Sequence, residues 1–133
     1  MDSPAKNPVK IRFEADATFV LAIAEGEYSM GGVMTAFQEA VHECVRLQRS
    51  NLVIDVRAIQ GRISIMDRFD FGENMAQALL KFNLRMAMYC RPDQITPEGF
   101  LQSVMANRGA RVRVETDMQM IREWLESAAP ART

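Results

Sequence analysis

A glycine spacing ahead of the first long helical pattern invites a nucleotide-binding interpretation. Gly26 and Gly31 enclose four residues, which is the spacing of a loop that cradles phosphate groups. Such a loop continues with lysine and then serine or threonine, which reach the phosphates and magnesium. Here Gly32 and Val33 follow instead, and the chain has no GxGxxG motif. The sequence therefore argues against nucleotide hydrolysis.

Residues that could form a catalytic or metal centre are few and show no recognisable arrangement. His42 is the single histidine and lies within a helical pattern at the border of its apolar stripe, which is typical of a packed or surface residue. Cys44 and Cys90 fall at apolar positions, so we expect both to be reduced and buried. We expect no enzyme activity, no metal and no cofactor, and an enzyme is the weakest of three functional hypotheses.

Asp55 stands out because its neighbours Leu52–Ile54 and Val56 are all apolar. A carboxylate in such surroundings must accept hydrogen bonds or change its pKa. The simplest interpretation is that Asp55 accepts backbone N–H groups from the loop that follows the strand.

Three arginines surround the predicted start of the second helix. Ser64 and Asp67 have the spacing of a capping box, with Asp in place of the usual Glu. Because a helix N-terminus attracts negative charge, arginines beside it can hold a phosphate or carboxylate, or contact a partner. Solvated surface side chains are the alternative. The candidates for anion or partner contact are Arg57, Arg62 and Arg68, with Arg57 and Arg62 expected in the loop.

Apolar periodicity predicts an α/β fold with the order β-β-α-β-α-β-α-β-α. The two-sided apolar segment Leu52–Val56 is typical of a central strand with helices on both faces. We predict a mixed, mostly parallel sheet that begins with an antiparallel hairpin. Strands are expected at residues 10–14, 18–24, 52–56, 84–91 and 111–115, and helices are expected to begin near Gly31, Ser64, Thr96 and Asp117.

Length and charge fit one ordinary domain. The chain has 133 residues and a formal net charge of -1, which argues against a general nucleic-acid binder. The N-terminal residues lack the apolar core of a signal peptide, and no apolar run is long enough for a membrane span. We expect a cytoplasmic protein that is not membrane-spanning, with a domain at residues 9–127 between flexible tails at 1–8 and 128–133.

Methionine is the unusual feature of the composition, with ten residues. Thioether side chains adapt to varied apolar partners, although they also fill gaps in ordinary cores. If the methionines line a site, we expect it between the second helix, the fourth strand and the last helix. The candidate residues for binding an apolar ligand are Met66, Phe69, Met75, Met86, Met88, Met118 and Trp124.

Four segments together are similar to the bacterial SpoIIAA-like family. They are LVIDVRAIQG, SIMDRFDFGENMA, RMAMYCRPD and NRGARVRVETDMQMIREWL. The resemblance covers roughly residues 19–125. It implies a fold related to the STAS domain, with a further kinship to Sec14-type lipid-binding domains, and no established enzymatic activity.

The resemblance implies two functions. The first is a carrier of small nonpolar molecules or lipid, as suggested for the family. The second is a protein-protein regulator like the anti-sigma-factor antagonists, which carry a phosphorylated serine after an aspartate at the start of the second helix. Ser64 is the nearest phosphorylation candidate, but Asp does not precede it, and its hydroxyl is expected to cap the helix. A homodimer through an exposed hairpin edge or a methionine-rich helix is a further expectation.

Overall fold

Five strands form one sheet with the spatial order β1-β2-β3-β4-β5 in the computed structural model. The structure describes residues 7–62, 64–95 and 100–127. β1 and β2 are antiparallel, and all other neighbouring strands are parallel. The elements are β1 (Lys10–Ala15), β2 (Val20–Glu27), α1 (Met30–Leu47), β3 (Asn51–Gln60), α2 (Ile65–Lys81), β4 (Arg85–Tyr89), a 3-10 turn (Pro92–Gln94), α3 (Phe100–Asn107), β5 (Arg111–Glu115) and α4 (Met118–Ser127). This arrangement confirms the predicted fold class.

The helices divide unequally between the two faces of the sheet. Right-handed crossovers between strands taken in sequential order place successive helices on the same face. Accordingly α1, α2 and α3 share one core with the sheet, centred on Phe37, Leu79 and Met86. α4 packs on the other face, where Ile121 and Leu125 join a smaller cluster.

β3 is the central strand, as the sequence predicts. Every residue from Leu52 to Val56 is at most 9% exposed. Leu52, Ile54 and Val56 contribute to the three-helix core, whereas Val53 belongs to the cluster under α4. Burial on both faces explains why this segment lacks the alternation of a half-buried strand.

β3 continues four residues beyond its predicted end, so the expectation that Arg57 lies in a loop is wrong. Its pairing with β2 shifts: Asp55 is opposite Ile23, but Ala58 is opposite Glu25. β3 therefore carries one extra residue, which is a β-bulge. The bulge changes which residues face the core, and Ile59 is again buried there. Because the polar residue Arg57 lies at the bulge, the apolar pattern is interrupted there. The sequence pattern therefore does not show that the strand continues to Gln60.

Side-chain caps begin α1, α2 and α4. Ser29 Oγ accepts the N–H of Gly32 at 3.1 Å at the start of α1. Asp117 Oδ1 accepts the N–H of Gln119 at 2.8 Å at the start of α4, as predicted. The predicted start of α3 at Thr96 lies outside the described residues, as do residues 1–6 and 128–133 of the expected tails. Asn7 is described, and its carbonyl accepts the N–H of Glu27 at 2.7 Å.

A buried arginine joins α4 to the amino end of the parallel strands. Arg85 is 3% exposed. Its Nε donates to Asn51 Oδ1 at 3.0 Å, and its Nη2 donates to the carbonyl of Leu125 at 3.1 Å. Its guanidinium carbon lies 5.4 Å from the centre of the Trp124 ring. Burial and the nearby Arg111 lower the pKa of Arg85, and the contacts to α4 hold that helix against the sheet.

Candidate functional site

A cavity of about 430 Å³ opens at the carboxyl ends of the parallel strands, on the three-helix face. This is the end of an open α/β sheet at which ligands usually bind. The volume lies within the roughly 300–1,000 Å³ range of small-molecule pockets. Its apolar lining comes from all five strands and from α1 and α2, and includes Ile11, Ala24, Val33, Ala36, Phe37, Ile54, Val56, Ile59, Phe71, Met75, Met88 and Val114.

The polar lining of the cavity contains three arginines and one carboxylate, together with uncharged side chains. Its members are Tyr28, Arg62, Arg68, Arg91, Asp93, Gln94 and Gln102. Arginine thus outnumbers carboxylate at the site, although the chain as a whole is nearly neutral.

Arg91 and Gln94 bind the end of β3. Because β4 ends at Tyr89, opposite Asp55, the last carbonyls of β3 have no neighbouring strand on that side. Arg91 donates Nη1 to the carbonyls of Arg57 and Ile59, and Gln94 Nε2 donates to the carbonyl of Val56 at 2.7 Å. These two side chains therefore supply the hydrogen-bond donors that a neighbouring strand would otherwise provide to β3. No sequence pattern predicts these contacts, although only one residue separates RPDQ from the end of β4.

Asp93 also takes part in the contacts at the end of β3, through Arg91. Its carboxylate accepts Nε and Nη2 of Arg91 at 3.0 and 3.2 Å. The Arg91 guanidinium holds the pKa of the Asp93 carboxyl below its usual range, and the Asp93 carboxylate raises the pKa of Arg91.

Arg62 and Arg68 are placed differently. Arg62 is exposed and Arg68 is half-buried. Neither forms an ion pair with an acidic side chain in the described part of the chain. Asp93 is close enough to Arg62 for the two charges to interact. The structure therefore brings two of the three predicted anion-site arginines to the mouth of one cavity.

Arg57 lies away from the cavity, because it points to the α4 face of the sheet. Its Nε and Nη2 donate to the two carboxylate oxygens of Asp55 at 3.0 and 2.9 Å. The backbone N–H of Arg57 also donates to Asp55, at 3.0 Å. The guanidinium carbon stacks 4.0 Å from the centre of the Tyr89 ring. The expected backbone contact to Asp55 is present, but its donor lies in the bulge of β3 and not in a loop.

The seven predicted apolar candidates do not form a single site. Met75 and Met88 line the cavity, whereas Met86 is completely buried in the core beside it. Met118 and Trp124 pack under α4 on the opposite face of the sheet. The predicted site between α2, β4 and α4 is therefore wrong, because the sheet separates α2 from α4.

The other two apolar candidates, Met66 and Phe69, lie on the surface of α2. They are 71% and 38% exposed. Arg108 stacks with its guanidinium carbon 5.1 Å from the centre of the Phe69 ring and forms an ion pair with Glu73 at 2.7 Å. Met66 is therefore the more exposed of these two candidates.

The first turn of α2 is tied to the connection between β2 and α1. Ser64 Oγ accepts the N–H of Asp67 at 3.0 Å, as the capping-box spacing predicts. Asp67 in turn accepts a hydrogen bond of 2.7 Å from the hydroxyl of Tyr28. Burial and this hydrogen bond raise the pKa of Tyr28 above its usual range. The β2–α1 connection is thereby joined to the first turn of α2 beside the cavity.

The described residues contain neither a candidate metal-binding cluster nor a helix that could cross a membrane. No group of three or more His, Cys, Asp or Glu side chains is placed to hold a metal ion in residues 7–62, 64–95 and 100–127. Within the same residues, no helix is both long enough and apolar enough to cross a membrane.

Comparison with solved structures identifies the fold. No family model and no curated protein matches the sequence. An anti-sigma factor antagonist from Mycobacterium paratuberculosis is 14% identical, covers 86% of this chain and 92% of its own, and has a TM-score of 0.50. An uncharacterized protein with a SpoIIAA-like fold from Shewanella loihica is 13% identical, covers 94% and 99%, and has a TM-score of 0.53. The predicted SpoIIAA-like, STAS-related fold is confirmed.

Proposed function

We propose that this protein is a non-enzymatic regulator that binds another protein through the start of α2. The fold that it shares with an anti-sigma factor antagonist supports a regulatory role. Since one fold can host many functions, the local surface must carry the argument. The partner-binding surface is defined as Arg62, Ser64, Met66 and Arg68.

The observation that carries this proposal is the exposure of Met66, at 71%, between two arginines without an ion-pair partner in the described chain. Methionine and arginine are both enriched at protein interfaces, whereas lysine and glutamate are depleted there. The arginines favour a partner with acidic side chains around an apolar contact.

Ser64 could make this surface switchable. Its side chain is exposed, and its oxygen already caps α2. A phosphate there would add about 1.5 to 2 negative charges at the positive end of the helix, beside Arg62 and Arg68. We propose that such a charge changes partner binding while leaving the helix intact.

An affinity capture with paired variants tests the proposal. Met66→Asp and Ser64→Asp should each weaken capture of the same partner by at least about tenfold, since a charge enters the contact. Ser29→Asp, at the cap of α1, and Met120→Asp, at an exposed site on α4, are the matched controls. If the partner is retained by all four variants, the start of α2 is not the binding surface.

A second candidate function is binding of a small apolar molecule, and the cavity of about 430 Å³ favours it. The proposed lining includes Met75 and Met88 but not the candidates on the other face. Native mass spectrometry of the purified protein should detect a bound molecule that denaturation releases. This function would be contradicted if the protein carried no ligand and if added apolar compounds changed neither its native mass spectrum nor its melting temperature.

A further inference from the structure

We propose that the cavity binds a single-chain carboxylate, with its acyl tail inside and its carboxylate at Arg62 and Arg68. This inference rests on the second candidate function and names the class of ligand. The cavity has an apolar interior, and most polar side chains of its lining already have hydrogen-bond partners.

The interior favours an alkyl chain. Phe37, Ile54, Phe71, Met75 and Met88 surround it, and each is at most 8% exposed. Burial of each methylene group in such surroundings favours binding. The thioethers of Met75 and Met88 can adjust to a flexible chain. The volume is near the lower end of the pocket range, which favours one chain over two.

Most polar side chains of the lining are already engaged. Tyr28 donates to Asp67 at 2.7 Å, and Arg91 is paired with Asp93. Gln94 donates to β3, and Gln102 Oε1 accepts the N–H of Val114 at 2.9 Å. A ligand that used these groups would have to break existing hydrogen bonds.

Within the described residues, Arg62 and Arg68 are the polar side chains of the lining that form no side-chain hydrogen bond or ion pair, and Arg62 interacts with Asp93 only through longer-range charge attraction. Both are cationic, and they flank the N-terminus of α2, which is itself positive. Guanidinium groups bind carboxylates through two parallel hydrogen bonds. The guanidinium groups at the mouth of the cavity can therefore bind an anion. A neutral apolar ligand would make no ion pair with them.

Calorimetric titrations with decanoate, decanol and decyl phosphate test the assignment. Decanoate should bind at least about tenfold more tightly than decanol. The double variant Arg62→Gln/Arg68→Gln should remove that difference, whereas Arg12→Gln, an exposed arginine on β1, should preserve it. Ala36→Leu, which adds volume at a lining position, should weaken all three compounds.

The outcomes separate this inference from the function on which it rests. If decanoate and decanol bind equally to the wild type, the cavity binds apolar ligands but the carboxylate assignment is overturned. Tighter binding of decyl phosphate than of decanoate would also overturn it, in favour of a phosphate head group. If none of the three compounds binds, the ligand-binding function fails together with the inference.

Discussion

The two ends of the parallel strands use arginine in opposite ways. At the amino end, Arg85 is 3% exposed and donates to Asn51 and to the last turn of α4, and within the described residues only its Nη1 lacks a partner. At the carboxyl end, Arg62 and Arg68 border a cavity and form no ion pair within the described residues. A buried charge must have partners in the folded protein. Arginines that lack them beside an apolar cavity are available for a ligand or a partner protein.

Removal of the buried arginine should have the largest effect on stability. Arg85→Ala leaves the Leu125 carbonyl without its side-chain donor and opens space beneath α4, so we expect a loss of about 3 kcal/mol. Arg68→Ala, at the carboxyl end, should change the free energy of unfolding by no more than about 0.5 kcal/mol. Urea denaturation measures both. Equal losses would mean that Arg68 is also a structural residue.

Added volume should distinguish the packed core from the cavity. Ala40 is fully buried outside the cavity lining, and Ala36 lines the cavity one turn earlier on α1. Ala40→Leu should cost about 1–3 kcal/mol through overpacking. Ala36→Leu should be neutral or stabilising, because its side chain enters empty space. Thermal unfolding of the two variants compares their stabilities. An equal loss of stability in both variants would contradict an open cavity.

Alkaline pH should affect both ends of the sheet alike. Burial raises the pKa of Cys44 and of Cys90 to about 12. The thiols of the unfolded chain ionise near pH 8.5. The stabilisation from these raised pKa values is fully present below about pH 8.5 and is lost as pH rises toward 12. Between pH 8 and pH 9.5 the free energy of unfolding should fall by about 1–3 kcal/mol.

Single alanine variants divide this pH effect between the two ends. Cys44 Sγ donates to the carbonyl of Asn51 at the amino end, whereas Cys90 lines the cavity. Cys44→Ala and Cys90→Ala should each remove about half of the decrease in stability. If only Cys44→Ala removes it, water in the cavity lets Cys90 ionise near its ordinary pKa.

Loss of the Tyr28 hydroxyl should destabilise the protein less than loss of Arg85. Tyr28→Phe removes the hydrogen bond of 2.7 Å to Asp67 at the carboxyl end. Because this contact is partly exposed, we expect a cost of about 1 kcal/mol. Denaturant unfolding measures it. A loss as large as that of Arg85→Ala would show that the carboxyl end is held as rigidly as the amino end.

The sequence predicts much of the fold because local patterns determine it. Two-sided apolar character identifies β3, and Ser64 and Asp117 mark the starts of α2 and α4. Tertiary arrangement is harder to predict, since apolar periodicity shows which side of a helix is buried but not which face of the sheet it covers. The sequence pattern therefore predicts one site for Met118, Trp124 and residues that lie on the opposite face of the sheet. The bulge at Arg57 also disrupts the alternation on which strand prediction depends.

Methionine-methyl NMR tests most directly whether the cavity at the carboxyl ends of the strands, which Arg62 and Arg68 border, is a ligand site. Met75 and Met88 line the cavity, and Met118 packs on the opposite face of the sheet. With methyl-labelled methionine, titration with decanoate should shift the signals of Met75 and Met88 and leave that of Met118 unchanged. Shifts confined to Met118 and the exposed Met66 and Met120, or no shift at saturating decanoate, would contradict the account.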